Sequence, residues 1–181
     1  MTCSGYVLAG GRSSRMGRDK ARLPFRGTDL VSAVATAVAR AAGSANLIGH
    51  PVLPSLPDLY PGEGPLGGIL TALRHATSDC CLIVACDMPE VGAVFLTRLV
   101  ELAAQSPRSV ILPYGPDGLP QPLCAVYPRS ALAAMEAHFS GGVRKVTAAL
   151  SGVAVEPLRV AELSIFQNVN TPEDWAAYAA E

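Results

Sequence analysis

Residues 5–20 read GYVLAGGRSSRMGRDK, and this stretch contains the pattern that decides the fold. Its apolar opening is rich in strand formers and ends at Gly10 and Gly11, which predicts a buried strand that delivers a glycine loop. Glycines let backbone N–H groups approach an anion closely, and Arg15 and Lys20 add positive charge. The loop lacks the Gly-Lys-Ser/Thr ending of a Walker A motif. The stretch therefore predicts a different kind of anion-binding loop.

Positive charge is concentrated around this loop, although the whole chain is almost neutral. The 181 residues carry a formal net charge of −1, which makes bulk nucleic-acid binding unexpected. Residues 12–26 hold six basic residues and the single acid Asp19, a local balance of +5. We therefore expect this segment to bind a small anionic ligand.

Apolar patterns of strand and helix type alternate along the rest of the chain. Helices are predicted between Asp29 and Gly43 and over residues 69–76, 91–104 and 130–139, and strands over residues 45–48, 81–86, 110–112 and 123–127. Residues 51–68 are rich in proline and glycine and predict a long ordered loop or lid, and Thr171 before Pro172 predicts a last helix start. The alternation predicts one three-layer α/β domain with a mostly parallel sheet and a ligand site at the carboxyl ends of its strands.

Several classes of protein are not expected from this sequence. The longest apolar run, residues 80–86, is far shorter than the roughly 20 residues of a membrane helix, and the N-terminus lacks a signal-peptide pattern. We therefore expect a cytoplasmic protein. The three histidines are scattered without a Gly-x-Ser-x-Gly motif, so a hydrolase triad is not expected. The five cysteines are expected to be small buried side chains.

Two polar motifs suggest a metal site. Asp87 in CDMP stands where a buried strand should end, and a carboxylate there could hold Mg²⁺ against phosphate oxygens. Alternatively, Asp87 could cap a helix that starts near Val91. In FQNVNTPED, Asn168 and Asn170 would point the same way if the segment is extended, and could complete a metal or ribose shell. Turn formation is the alternative role for this pair.

A further motif points towards a dinucleotide-binding protein. Residues 62–67 read GEGPLG and formally match the dinucleotide fingerprint, with Asp87 downstream as a candidate ribose ligand. The fingerprint should follow a strand, but residues 51–61 contain four prolines and Pro65 lies inside the motif. A dinucleotide-dependent oxidoreductase would also leave the basic segment unexplained, so this hypothesis is weak.

Taken together, the motifs resemble those of the molybdenum cofactor guanylyltransferases, the MobA-like members of the wider nucleotidyltransferase class that begins LAGGxxxRMGxDK. GPLGG at 64–68, CDMP at 86–89, QPLCAVY at 121–127 and FQNVNTPED at 166–174 follow in the order of that family. The resemblance implies a three-layer Rossmann-like nucleotidyltransferase fold with one antiparallel strand. It also implies Mg²⁺-dependent transfer of GMP from GTP to the phosphate of molybdopterin, with release of pyrophosphate. Related cytidylyltransferases usually open TAAG and lack NVNTP, so guanine is favoured.

The resemblance also assigns roles to individual positions. The nucleotide would be bound by Leu8, Ala9, Gly10, Gly11, Asp58, Gly64, Pro65 and Leu66. Lys20 and Arg15 would hold the triphosphate and act in catalysis together with Asp87, which would bind Mg²⁺. Arg144, Lys145, Asn168 and Asn170 would contact the pterin acceptor. The nucleotide-binding half of the single domain would be about residues 1–105, and the acceptor-binding half about residues 106–181.

The implied partners are small molecules. GTP and molybdopterin are the expected substrates, with neither nucleic acid nor a membrane as a partner, and molybdenum-insertion proteins or molybdoenzyme chaperones are expected as transient contacts. Three alternatives stay open: a cytidylyltransferase of the same pathway, a transferase for another small phosphorylated acceptor, and a regulatory module that binds nucleotide without turnover.

Overall fold

A six-stranded mixed sheet forms the centre of the molecule, and the computed structural model describes residues 1–10, 20–162, 164–169 and 175. The strands in chain order are β1 (Cys3–Leu8), β2 (Pro24–Phe25), β3 (Thr28–Asp29), β4 (Asn46–Ile48), β5 (Cys80–Ala85), β6 (Val110–Tyr114), β7 (Cys124–Pro128) and β8 (Val155–Arg159). The large sheet has the order β4-β1-β5-β7-β6-β8, while β2 and β3 form a separate antiparallel hairpin. β7 runs antiparallel to both β5 and β6, and the other pairings in the large sheet are parallel. The prediction of a mostly parallel sheet with one antiparallel strand is confirmed.

Helices cover both faces of this sheet. They are α1 (Leu30–Ala42), α2 (Pro65–His75), α3 (Ala93–Gln105), α4 (Leu132–Ser140) and α5 (Val146–Ala149). Because side chains alternate along a strand, β5 turns Cys81 and Ile83 towards the core that contains α2, α4 and α5. It turns Leu82 and Val84 towards the core that contains α1 and α3. Two hydrophobic cores therefore sandwich the sheet, as expected for three layers. Within the described residues, no helix is both long enough and apolar enough to cross a bilayer.

The strands and helices agree with the sequence prediction except at the start of α2 and in three elements that were not predicted, namely the β2–β3 hairpin, α5 and β8. α1 is capped by Asp29, whose side chain accepts a hydrogen bond of 2.9 Å from the Ser32 N–H, and it ends at Gly43 with φ 76°. The prediction of a loop up to residue 68 is wrong, because α2 begins at Pro65. Proline breaks a helix interior but is favoured in the first turn, where its missing N–H costs nothing. The hairpin β2–β3 and the edge strand β8 were not predicted, and the predicted helix start at Thr171 lies outside the described residues.

The earlier and the later strands of the chain form opposite sides of the large sheet. β1, β4 and β5 precede residue 105 and form one side of the sheet, while β6, β7 and β8 form the other side. The assignment of residues 1–105 to the nucleotide and of residues 106–181 to the acceptor stays a prediction.

The substitution Gly5→Ala tests how closely β1 is approached by α1 and by the turn that follows this helix. A Cβ atom at Gly5 would lie 2.1 Å from the Ser44 carbonyl oxygen and 2.4 Å from Val38 Cγ1. We expect Gly5→Ala to lower the free energy of unfolding by about 3 kcal/mol, because backbone must move to admit the methyl group. Urea unfolding measures this loss.

Gly92→Ala is the matched control for Gly5→Ala. Gly92 has φ −82°, which any residue adopts, and a Cβ there would meet nothing within 4 Å. Its expected cost is below about 1 kcal/mol, because only the preference for the helix N-cap changes. Equal losses in the two variants would contradict the close packing of α1 on β1.

Candidate functional site

Three of the sequence motifs meet at the carboxyl edge of the sheet. β1 and β5 are parallel neighbours and end in register at Leu8 and Ala85. The Cys86 N–H donates to the Leu8 carbonyl oxygen at 3.1 Å, which joins CDMP to the end of β1. The Ala85 N–H donates to the Leu123 carbonyl oxygen at 2.8 Å, which brings the start of QPLCAVY to the same edge. Backbone hydrogen bonds therefore join the three motifs at the site predicted at the strand ends.

The glycine loop after β1 lies against the loop after β4. The Ala9 N–H donates to the Ile48 carbonyl oxygen at 3.0 Å, and Gly49 follows with φ 75°. A Cβ at Gly49 would lie 3.2 Å from the Gly10 Cα and 3.5 Å from the Asp58 Cβ. Only glycine suits both the left-handed backbone and this close approach. The structure thus brings Gly10 and Asp58 together across Gly49, whereas Gly11 lies outside the described residues.

Asp58 is fixed by a buried threonine that the sequence analysis missed. The Asp58 Oδ1 atom accepts hydrogen bonds from the Tyr60 N–H at 2.9 Å and from the Thr71 hydroxyl at 3.0 Å. Thr71 is only 2% exposed on α2, and its Oγ1 also accepts from the Leu59 N–H at 3.1 Å. Nothing local in the sequence marks Thr71, because its partners lie in the irregular loop that precedes α2.

The first turn of α2 lies beside the end of β1. A Cβ at Gly68 would be 3.0 Å from Leu8 Cδ2, so the last glycine of the GPLGG motif allows this helix to approach β1. Gly64 and Pro65 are exposed at the helix start, and Leu66 is fully buried in the core. A ligand contact from Leu66 would therefore have to come from its backbone.

Asp87 and Asn168 come together at the end of β5. The N-cap of α3 is Gly92, so Asp87 does not cap that helix. The Val169 N–H donates to the Asp87 carbonyl oxygen at 3.0 Å, which places Asn168 next to the CDMP turn. The Asn168 Oδ1 atom is buried and has no hydrogen-bond partner among the described residues. Asn170, predicted to act with Asn168, lies outside the described residues.

These two side chains fit a magnesium ion better than a transition metal. Carboxylate and amide oxygens are hard ligands, and protein-bound Mg²⁺ commonly uses one or two carboxylates together with waters and substrate phosphates. A buried amide oxygen without a partner is also the kind of atom that a cation would satisfy. In the described part of the chain, no three His, Cys, Asp or Glu side chains are grouped to hold a metal.

A small hydrophobic cluster holds the asparagine segment in place. Val169 is fully buried against Leu23, Phe25 and Leu30, with Trp175 packed at the side. The first of these residues follows a 3-10 helix at Lys20–Arg22 and leads into the β2–β3 hairpin. Two segments far apart in the chain, the one after the basic loop and the one that contains Val169, therefore share one anchor. Arg15 and the side chain of Lys20 lie outside the described part of the structure.

One arginine of the basic segment has a protein partner. Arg26 Nη2 lies 3.0 Å from Glu90 Oε1, close to the CDMP turn. The expected anion site therefore does not need Arg26, whose charge is already balanced on the protein. This ion pair ties the hairpin to the segment after β5, close to Asp87.

The basic turn after α4 contacts the loop before α2. The Arg144 guanidinium donates from Nε to the Glu63 carboxylate and from Nη1 to the Phe139 and Val143 carbonyl oxygens at 2.8 and 3.1 Å. Lys145 is exposed and precedes α5. The predicted acceptor residues Arg144 and Lys145 thus lie near the start of α2, while Asn168 lies at the end of β5.

Comparisons with known proteins show which family and which folds this chain resembles. The family model described as MobA-like NTP transferase domain matches residues 5–154. The molybdenum cofactor guanylyltransferase of Xanthomonas euvesicatoria is 33% identical and covers 96% of this chain and 92% of its own length. The crystal structure of molybdopterin-guanine dinucleotide biosynthesis protein A from Archaeoglobus fulgidus has a TM-score of 0.81 at 26% identity, over 97% of this chain and 96% of that one.

The fold is also shared with a transferase named for another base. The 2-C-methyl-D-erythritol 4-phosphate cytidylyltransferase of Thermus thermophilus has a TM-score of 0.71 at 16% identity, over 97% of this chain and 96% of that one. This likeness concerns the fold alone.

Thr71→Val tests the anchoring of Asp58. The change removes the hydroxyl that binds Asp58 and Leu59 but keeps the side-chain shape, so we expect the free energy of unfolding to fall by about 2 kcal/mol. Hydrogen exchange at the Leu59 amide should become faster. Thr36→Val is the control, because the Thr36 hydroxyl lies on the exposed face of α1 and donates only to the Ser32 carbonyl oxygen, at 2.8 Å. Its expected effect is below about 0.5 kcal/mol, and a similar loss in both variants would contradict the role of Thr71.

Proposed function

The chain belongs to the MobA-like NTP transferase family, and from this premise we propose that it transfers GMP from GTP to the phosphate of molybdopterin and releases pyrophosphate. As a member of this family it is a nucleotidyltransferase. The name of its Xanthomonas relative, molybdenum cofactor guanylyltransferase, supports guanylyl transfer in molybdenum cofactor synthesis, with GTP and molybdopterin as the substrates. The cytoplasmic location and the transient protein partners expected from the sequence stay predictions.

The observation that carries this proposal is the hydrogen bond from the Val169 N–H to the Asp87 carbonyl oxygen. It places the backbone segments that carry the Asp87 carboxylate and the buried Asn168 amide side by side where β5 ends, beside the glycine loop of β1. We propose that Asp87 and Asn168 hold Mg²⁺ there and that Asn170 helps to close the site around the metal. When bound, the ion would neutralise charge on the phosphate oxygens of the nucleotide.

The reaction joins two anions, so its main requirement is charge neutralisation. An oxygen of the pterin phosphate attacks the α-phosphorus of GTP and forms a new phosphoanhydride bond. The bond from that phosphorus to the bridging oxygen breaks, and pyrophosphate leaves with the electron pair. The second pKa of a phosphate monoester is about 6, so the nucleophile is largely dianionic at neutral pH and needs no general base. This agrees with the absence of histidine from the sequence motifs.

Positioning and electrostatics must then supply most of the catalysis. We propose that Lys20 and Arg15 neutralise the triphosphate, while backbone N–H groups of the loop through Gly10 and Gly11 approach it closely. The exposed start of α2 at Gly64 and Pro65 would contact the nucleotide beside Leu8, Ala9 and the backbone of Leu66. The basic turn with Arg144 and Lys145 would bind the pterin phosphate.

Asp58 is suited to recognise guanine. Its Oδ1 is occupied by Tyr60 and Thr71, and within the described residues its Oδ2 has no hydrogen-bond partner. A carboxylate oxygen accepts hydrogen bonds only, so it favours a base that presents N–H donors. Guanine presents a ring N–H beside its exocyclic amine, whereas cytosine offers only the amine as a donor. We therefore propose that Asp58 helps to select GTP over CTP.

A transfer assay tests the proposed function. Molybdopterin, Mg²⁺ and GTP or CTP labelled at the α-phosphate are incubated with the protein, and labelled pterin dinucleotide and pyrophosphate are measured. We expect label to enter the pterin from GTP, with one pyrophosphate released for each transfer. Transfer mainly from CTP would identify a cytidylyltransferase instead. Binding of GTP without pyrophosphate release would indicate a regulatory nucleotide-binding module.

Asp87→Asn tests the proposed metal site. The change keeps the shape of the side chain but removes its charge, so we expect turnover to fall by at least about 100-fold at saturating nucleotide with the fold intact. Asn168→Ala should raise the Mg²⁺ concentration needed for half-maximal activity. Asp117→Asn is the control, since Asp117 lies in an exposed turn, where it accepts a hydrogen bond of 3.0 Å from the Leu119 N–H. If Asp87→Asn kept more than about a tenth of wild-type turnover, the assignment of Asp87 would be wrong.

A further inference from the structure

Four side chains from two segments of the chain form a cluster, which we call the Arg144 cluster: Tyr60, Glu63, Phe139 and Arg144. The Arg144 guanidinium lies over the Phe139 ring, 4.1 Å from its centre, and binds the Glu63 carboxylate through Nε. The Phe139 ring packs edge-on against Tyr60, with the ring centres 4.8 Å apart. The cluster therefore connects the loop before α2 with α4 and the basic turn.

Glu63 is held firmly by its own turn. Its N–H donates to the Tyr60 carbonyl oxygen at 3.2 Å, and the Tyr60 N–H donates to Asp58 Oδ1 at 2.9 Å. A Cβ at Gly67 would lie 2.9 Å from the Tyr60 Cβ and 3.0 Å from its carbonyl oxygen, so this turn lies directly on the first turn of α2. The backbone of Glu63 is thus fixed relative to the proposed nucleotide loop.

The contacts of Arg144 leave one edge of its guanidinium available. Nε donates to Glu63, and Nη1 donates to the Phe139 and Val143 carbonyl oxygens. In the described part of the chain, the two N–H groups of Nη2 have no partner. A guanidinium that is held on one side and open on the other is suited to bind a phosphate oxygen.

The ion pair itself adds little to stability. The Arg144 and Glu63 side chains are 43% and 44% exposed, and solvent screens such pairs strongly. The carboxylate nevertheless determines the direction of the guanidinium plane, together with the Phe139 ring and two carbonyl oxygens. Orientation is therefore the main consequence of the contact between Glu63 and Arg144.

We propose that Glu63 is a positioning residue for the acceptor, holding Arg144 so that its Nη2 edge is available to the pterin phosphate. This inference depends on the proposed function, because it requires Arg144 to contact the acceptor. Glu63 would act through Arg144 and would not touch either substrate. The same turn that carries Glu63 also contacts Asp58, so one rigid segment would serve both the nucleotide and the acceptor.

Calorimetry with molybdopterin tests this inference independently of turnover. The protein is saturated with Mg²⁺ and a non-hydrolysable GTP analogue before molybdopterin is added. We expect Glu63→Ala to weaken molybdopterin binding about fivefold, which is about 1 kcal/mol. Glu63→Gln should remain within about twofold of wild type, because its amide oxygen can still accept from Nε. Both variants should bind the GTP analogue within about twofold of wild type, well under 1 kcal/mol.

Glu136→Ala is the matched control for Glu63→Ala. Glu136 on α4 accepts from Arg74 on α2 and, at 3.4 Å, from the Tyr60 hydroxyl, so it contacts the cluster at Tyr60 without touching Arg144. Its loss should leave molybdopterin affinity unchanged. In an Arg144→Ala background, Glu63→Ala should have no further effect, since the residue that it positions is gone.

The possible outcomes separate this inference from the proposed function. Tighter molybdopterin binding by Glu63→Ala would show that the carboxylate competes with the phosphate, and unchanged binding would show an ordinary surface ion pair. An equal loss in Glu136→Ala would show a general packing effect. Each of these results would overturn the positioning role. Wild-type protein that binds both ligands but transfers nothing would contradict only the proposed function, and wild-type protein that binds no molybdopterin would contradict both.

Discussion

The parallel pairing of β1 with β5 is the interaction on which the rest of the molecule depends. Its register runs without a break from Cys3 opposite Cys80 to Leu8 opposite Ala85, so the two central strands end side by side. Every residue of β5 is buried, because helices cover both faces of the sheet. The loops that follow these strands carry the glycine turn and Asp87. A functional edge of the sheet is therefore a direct consequence of how its two central strands pair.

The sequence analysis succeeded where local chemistry determines the structure. The apolar run of β5 and the glycines after β1 predicted the central strands and their loops, since buried parallel strands are apolar on both faces. The start of α2 was missed because Pro65 has opposite meanings inside a helix and at its first turn. β8 was missed because it is a mostly exposed edge strand that contains Pro157. The roles of Thr71 and Glu63 could not be predicted. Glu63 and Arg144 are 81 positions apart in the chain, and no local sequence pattern indicates a contact over that separation.

Hydrophobic anchors place the polar groups of the candidate site. Val169 is buried beside Leu30, and the hydrogen bond from its N–H to Asp87 then positions Asn168. On the other side of the site, the Phe139 ring supports Arg144 by packing against its guanidinium. A reaction between two anions gains most from charges whose geometry is fixed before the substrates bind. Fixing these charges through buried side chains avoids the cost of ordering them during the reaction.

A crystal of the protein with Mn²⁺ in place of Mg²⁺ and a non-hydrolysable GTP analogue would test most directly whether the nucleotide site lies at this edge. The anomalous signal of Mn²⁺ locates the metal without reference to activity. We expect one peak about 2.2 Å from an Asp87 carboxylate oxygen and from Asn168 Oδ1, with phosphate oxygens completing the coordination. A metal bound to the triphosphate but ligated by neither Asp87 nor Asn168 would contradict this assignment.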